Sequence, residues 1–215
     1  KQKISFHRAT MKFYEDYLKE FSCDVEYVNS FEQESNIKDL VKKINDFGYK
    51  IIEIYDPVDY LVNKRIKEAC SELDIKLIIH DTNLFINSSK DLNVFFKDSK
   101  KKFFQTSFYK SERKKRNILI DSSGKPRGGE WTYDILNRKK FPKDEIPPEV
   151  RNPKKNKYVI ESEKYVLKYF KDNLGSLGEF NYPTTIDESE KWFKDFLIER
   201  FNNFGDYEDA IVKDE

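Results

Sequence analysis

The stretch Lys50-Ile-Ile-Glu-Ile-Tyr-Asp-Pro57, followed by Asp59–Leu73 and then Ile75-Lys-Leu-Ile-Ile79, decides the fold class. Its first and last segments are short, apolar and rich in isoleucine, so each reads as a strand. Asp56-Pro57 opens a turn after the first. Between them Leu61, Val62, Ile66, Ala69, Cys70 and Leu73 recur at helical spacing, which predicts a helix with those side chains inward. Upstream, Cys23–Val28 reads as another strand. Ser35–Phe47 reads as a helix carrying Ile37, Leu40, Val41 and Ile44, ended by Gly48. Strand, helix, strand, helix, strand predicts an α/β fold: a Rossmann-like parallel sheet with right-handed crossovers. Strands this apolar predict helices on both faces of the sheet. A ligand crevice in such a sheet lies beyond the strand C-termini, where Asp56 and His80-Asp81-Thr82 fall. No Gly-x-Gly-x-x-Gly or Walker pattern is present, so no nucleotide site is assigned.

Working outward, residues 3–21 read as a helix with two apolar faces, Ile4, Met11, Tyr14 and Leu18 on one and Phe6, Phe13, Tyr17 and Phe21 on the other. Such a helix is expected to pack between layers. His7 and Arg8 lie near its start, where an anion or a polar ligand edge is favoured; a packed, hydrogen-bonded histidine is the plainer alternative. Ser88–Phe96 and Lys101–Arg116 read as helices. The second ends in Arg113-Lys114-Lys115-Arg116 beside Phe103, Phe104, Phe108 and Tyr109. That cluster either contacts phosphates or is a solvated helix end, where cations are favoured. Asn117–Ile120 reads as a brief strand or extended link, and Asp121-Ser-Ser-Gly124 as a turn.

Beyond Phe141 the prolines at 142, 147, 148 and 153 predict an extended connection. Residues 160–172 then read as a helix, 174–182 as a loop, and Thr185-x-x-Glu188 as a capping box. The box opens a helix bearing Trp192, Phe193, Phe196, Leu197 and Phe201, with a stop near Gly205 and an acidic tail expected to fray.

The chain has 215 residues, 37% of them charged, with a net charge of +1. Mean hydropathy is −0.82 and the isoelectric point about 7.8. Eighteen Phe, thirteen Tyr and two Trp supply a core, which excludes a disordered composition. A balanced charge leaves nucleic-acid contact to local basic patches. The two cysteines, Cys23 and Cys70, cannot hold a four-thiolate cluster and read as buried free thiols. His7 and His80 lack any nucleophile motif, and no dense ligand cluster suggests a metal. No signal peptide or apolar membrane span is evident, so a soluble cytoplasmic protein with no membrane partner is expected. The chain opens at Lys1, straight into a helix pattern, and is expected to be a piece of something longer.

The functional signal is Arg127-Gly-Gly-Glu-Trp-Thr-Tyr-Asp-Ile-Leu-Asn-Arg-Lys-Lys-Phe-Pro142. Two glycines, two aromatics and interleaved charges predict an ordered functional loop, with a polar loop pinned by a buried Trp as the plain alternative. Asp134 and Arg138 are four apart and would pair across one helical turn. Trp131 and Tyr133 suit ring stacking, and the basic residues suit phosphates.

This segment resembles the Gly-Gly-x-Trp-x-(aromatic)-Asp-x-x-Asn-Arg-x-x-x-Pro segment of the photolyase-related proteins, the bacterial and archaeal (6-4) photolyase and cryptochrome branch that carries an iron–sulfur cluster. Ile4–Tyr14 is similar to that family's first helix, and Phe204–Ile211 to the segment before its flavin-binding core. The resemblance implies three regions. Residues 1–120 would be the antenna-type α/β domain without its first strand, 121–158 the interdomain connection, and 159–215 the first helices of an all-α flavin-binding domain. It implies FAD and a 4Fe-4S cluster in the whole protein, not held by this chain alone, and a lumazine-type antenna that Ile4 and His7 would line. It implies UV-damaged DNA and the remaining flavin domain as partners. Trp131 and Tyr133 would be packing anchors at a lesion-facing loop. Asp134 and Arg138, with Asn137 between them, would be polar groups near the lesion, and Lys139 and Lys140 would hold the DNA backbone. The whole protein would be a DNA photolyase, a carbon–carbon lyase, while these residues alone would not catalyse. A cryptochrome-like photosensor would share every one of these features. The residues alone, with no catalytic constellation visible, favour a non-catalytic α/β binding module, which flavin binding by the full-length protein would separate from the other two.

Overall fold

The computed structural model describes residues 1–97, 99–134, 139–146, 149–178 and 182–210. The chain divides into two compact units, one of residues 27–131 and one of residues 1–26 with 132–215. The boundaries expected at 120 and 158 do not coincide with this division. The first helix, α1 (Gln2–Glu20), belongs with the later helices.

In the unit of residues 27–131 a short 3-10 turn, Gln33–Ser35, leads into α2 (Ile37–Asp46). The Asn36 side chain caps α2 by accepting from the Lys38 N–H, and Gly48 follows its end at φ +88°. Strand β1 (Ile51–Tyr55), helix α3 (Tyr60–Glu72) and strand β2 (Lys76–His80) come next. Asp59 caps α3 through the Val62 N–H. The strands pair in parallel, from Ile51 opposite Lys76 to Tyr55 opposite His80. The core is Val41, Ala69, Cys70 and Ile75, surrounded by Ile37, Ile52, Ile66, Leu73 and Leu77. Burial raises the pKa of the Cys70 thiol.

The described sheet has two strands rather than the three expected. Residues 23–28 form no strand, although Val25 and Tyr27 alternate with Asp24 and Glu26. The alternation is real, but among the described residues no neighbouring strand offers it a ladder, and the division between units falls inside this stretch. Cys23 is therefore exposed, against the expectation of a buried thiol, while Cys70 is buried as expected. One face of the sheet packs on the helices through Ile52 and Leu77. On the other, Ile51 and Tyr55 are 53% and 67% exposed, so the expectation of two covered faces fails. Leu61 is also exposed, because it falls off the α3 stripe that carries Ala69 and Cys70. Helix α4 (Ser89–Phe95) opens with a full Ser88/Asp91 capping box, and α5 (Gln105–Arg116) follows. Phe95, Phe96 and Phe108 pack with ring centroids 5.0 Å apart.

In the other unit α1 packs on α6 (Lys157–Tyr169). The contact runs through small residues. Ser5 and Ala9 are buried against Val159, Ser162 and Val166, which lets the two backbones approach closely. Met11, Tyr14 and Phe21 stay exposed, so α1 is not buried on two faces as its apolar pattern predicts. The Arg8 guanidinium forks onto the Glu161 carboxylate at 2.6–3.1 Å and lies 3.6 Å above the Tyr165 ring. Helix α7 (Ile186–Glu199) is followed by α8 (Phe201–Tyr207). The break at Arg200 thus precedes Gly205, which lies within α8 rather than ending a helix.

Candidate functional site

Helix α5 ends at Asn117, whose left-handed backbone (φ +54°) turns the chain back on itself. Leu119 is left-handed too, at φ +50°. Ile120 then bridges Pro126 in antiparallel fashion around the Asp121–Gly124 turn. Within that turn the Asp121 carboxylate accepts from the Ser123 and Lys125 N–H groups and the Ser123 hydroxyl. The Lys125 N–H and the Ser123 hydroxyl are the main causes that hold its pKa below the usual carboxylate value. Gly128 and Gly129 follow at φ +85° and +89°. A Cβ on Gly129 would meet nothing within 4 Å, so glycine is needed there for its backbone conformation, not for space.

One side chain ties this loop together. Arg113 is buried, and all three guanidinium nitrogens donate to backbone carbonyls. Nε bonds Ile118 at 3.2 Å, Nη2 bonds Leu119 at 2.7 Å, and Nη1 bonds Trp131 at 2.8 Å. Its carbon lies 5.6 Å from the Tyr109 ring and 5.4 Å from the Trp131 ring. Desolvating the cation is tolerable because three carbonyls and two rings replace its water.

The basic cluster therefore separates into different roles. Arg113 is the internal tie. Lys115 pairs with Asp91 and Arg116 pairs with Glu112, and Arg116 also donates to the Ile86 carbonyl at 3.0 Å. The Lys115 ammonium and the Ser88 N–H and hydroxyl hold Asp91 well below the usual carboxylate range. Lys114 is exposed, makes no ion pair among the described residues, and places its ammonium 4.9 Å above the Trp131 ring.

Of the other expected residues, Trp131 is half-buried within its unit. Tyr133 is 45% exposed and Asp134 is exposed. Lys139 and Lys140 are exposed, with Lys139 paired to Asp206 at 2.9 Å. Asn137 and Arg138, and so the expected Asp134–Arg138 pair, lie outside the described residues. Ile4 is half-buried and His7 exposed at the start of α1, with the His7 ring 5.8 Å from that of Phe6. Sequence reasoning missed the anchoring role of Arg113. Its signal was the four-residue step from Tyr109 to Arg113, which puts the cation on an aromatic face of α5.

The chain thus holds an α/β unit with a glycine-bent, arginine-tied loop, and a second unit of aromatic-rich helices. The family model for deoxyribodipyrimidine photo-lyase-related proteins matches residues 1–182, and the chain belongs to that family. It is 38% identical over 143 residues to an uncharacterized protein of Acanthamoeba polyphaga mimivirus, covering 65% of this chain and 71% of that protein. It is 25% identical over 221 aligned residues to a (6-4) photolyase of Agrobacterium fabrum, covering all of this chain and 43% of that protein.

The cofactors implied by the resemblance can be set against the residues present. An iron–sulfur cluster held by four thiolates does not fit a chain with two cysteines, one exposed and one buried. No group of three or more His, Cys, Asp or Glu suited to a metal occurs among the described residues. In the helical unit, α7, α8 and the segment around Phe141 line an open cleft of about 750 Å³ walled by Trp192, Phe196 and Phe204. Glu145, Glu199 and Glu208 line it against a single cation, Arg200, among the described residues. That charge balance does not suit a flavin dinucleotide's diphosphate, so no flavin step is assigned to these residues. No helix among the described residues is long and apolar enough to cross a membrane.

Proposed function

We propose that the chain is the N-terminal portion of a flavin-dependent, light-driven DNA-repair photolyase of the (6-4) type. In this role it supplies an α/β scaffold and a loop that faces lesion-bearing DNA. The observation that carries the reading is the loop itself. One buried arginine makes three carbonyl bonds to a segment that ends at Trp131, and the sequence continues to an exposed aromatic, Tyr133, and to the exposed Lys139 and Lys140. The pairing of rings with cations suits an unstacked base and its phosphates. The similarity to a (6-4) photolyase along the full chain favours the same ligand. A lesion extruded from the duplex would present such a base.

The test is an absorption spectrum of the protein purified at its natural length, then illumination with duplex DNA carrying a (6-4) photoproduct. Flavin bands with light-dependent loss of the lesion support the reading. Flavin without repair replaces it with a photosensor. Absence of flavin replaces it with a non-catalytic α/β binding module.

A further inference from the structure

We propose that Arg113 is a positioning residue for Trp131, and that Lys114 is the member of the basic cluster that contacts nucleic-acid phosphate. The inference rests on the DNA-facing reading of the loop. Four consecutive cations at a helix C-terminus look equivalent in sequence, and the structure makes them unequal. Lys115 and Arg116 are each neutralised by a carboxylate, Asp91 and Glu112. Arg113 is buried and committed to the carbonyls of Ile118, Leu119 and Trp131. Lys114 keeps an exposed ammonium that no described carboxylate pairs, seated over the Trp131 ring at 4.9 Å.

The geometry of that seat depends on Arg113. Its Nη1–H fixes the Trp131 carbonyl while its Nε and Nη2 fix Ile118 and the left-handed Leu119, the two residues after the Asn117 cap. A planar guanidinium makes these bonds in fixed directions; a lysine ammonium cannot reproduce the fork. Trp131 is thereby held beneath Lys114, and a phosphate arriving at the ammonium does so above the indole ring. An ammonium over a ring, next to a phosphate, is a combination that reads a nucleotide backbone without reading sequence.

The experiment labels the protein with 5-fluorotryptophan and assigns the Trp131 fluorine resonance by its loss in Trp131→Phe. It then follows binding of a fluorescein-tagged duplex carrying a (6-4) photoproduct by anisotropy across a salt series. Lys114→Gln is expected to lower the slope of log affinity against log salt by about one phosphate contact. Lys115→Gln, already neutralised, is expected to leave it unchanged. Arg113→Gln is expected to move the Trp131 resonance alone and weaken binding roughly tenfold, and Trp131→Ala should weaken it to the same extent. The double variant should be no weaker than either single one. Arg113→Lys keeps the charge and should fail in the same way; it also serves if the glutamine variant does not fold.

Equal salt slopes for the Lys114 and Lys115 variants overturn the assignment of Lys114. Unchanged binding by an Arg113 variant whose Trp131 resonance has moved overturns the positioning role, as does an unmoved resonance. If the wild-type protein does not bind the duplex, the DNA-facing reading itself fails. The resonances of the Arg113 variants still report in that case whether Arg113 sets Trp131.

Discussion

Ser5 and Ser162 share a hydrogen bond of 2.6 Å at the buried contact between α1 and α6. Ser162 also donates its hydroxyl proton to the Val159 carbonyl at 2.9 Å. A hydroxyl has one proton, so Ser5 must be the donor in the shared bond. The two substitutions are therefore unequal. Ser162→Ala leaves the buried Ser5 hydroxyl without its acceptor and is expected to cost about 1–3 kcal/mol. Ser5→Ala removes the donor and leaves Ser162 satisfied, at a cost of about 1 kcal/mol or less. Denaturant unfolding of the two single variants and the double checks the order, and the double should cost less than the sum. An equal cost for both singles contradicts the assigned direction.

The start of α7 predicts a pH dependence. Thr185 accepts from the Glu188 N–H, and the Glu188 carboxylate reaches back to the Thr184 N–H at 3.0 Å, one residue before the cap. It also accepts from the Asn156 amide, whose own oxygen caps α6. Burial alone would raise the Glu188 pKa. The bonds from Thr184, Asn156 and Thr185 outweigh it, so the net shift is downward. A carboxylate with a lowered folded pKa stabilises above its unfolded value of roughly 4.3 and loses that contribution as pH falls through the folded value. Glu188→Gln should therefore lower Tm at pH 7, with the difference from wild type shrinking as pH falls below about 4. Thr185→Ala should cost about 1 kcal/mol at either pH. A Glu188 difference that grows on acidification contradicts the account.

At the end of α5, Asn117 occupies a left-handed cap at φ +54°. Asparagine tolerates this region and glycine adopts it freely, whereas a β-branched residue is strained there. Asn117→Gly should be close to neutral, and Asn117→Val should cost about 1–2 kcal/mol by thermal unfolding. Equal effects would contradict a conformational role for the position.

Lys139 and Asp206 face each other at 2.9 Å, both about half exposed. If Lys139 meets phosphate, Asp206 competes for it. Asp206→Asn should then tighten duplex binding at low salt, an advantage that fades above the ionic strength where the charges are screened. Anisotropy with an undamaged duplex suffices. Weaker binding by this variant would remove Lys139 from the interface.

What the sequence made legible follows its strongest periodicities. Ile51–Tyr55, the helix after Asp59 and Lys76–His80 emerge as read, because isoleucine runs and a capped amphipathic helix leave little alternative. Residues 23–28 alternate like a strand yet form none, since pairing needs a neighbour that local sequence does not specify. The α1 contact was illegible for the opposite reason. Its buried residues are Ser5 and Ala9, which a search for apolar stripes passes over. At the candidate site the glycines and aromatics of 127–134 were visible in the sequence. The unequal fates of Arg113, Lys114, Lys115 and Arg116 were not, because each depends on a partner at least four residues away: Trp131, Asp91 or Glu112.

The most direct test of the central claim is a salt-dependent anisotropy titration of two matched duplexes, one bearing a (6-4) photoproduct and one undamaged, against wild type, Tyr133→Ala and Lys140→Gln. The account predicts tighter binding of the damaged duplex and loss of that preference in Tyr133→Ala. It also predicts a salt slope lower by about one contact in Lys140→Gln. Equal affinity for both duplexes, unaffected by either substitution, would contradict it.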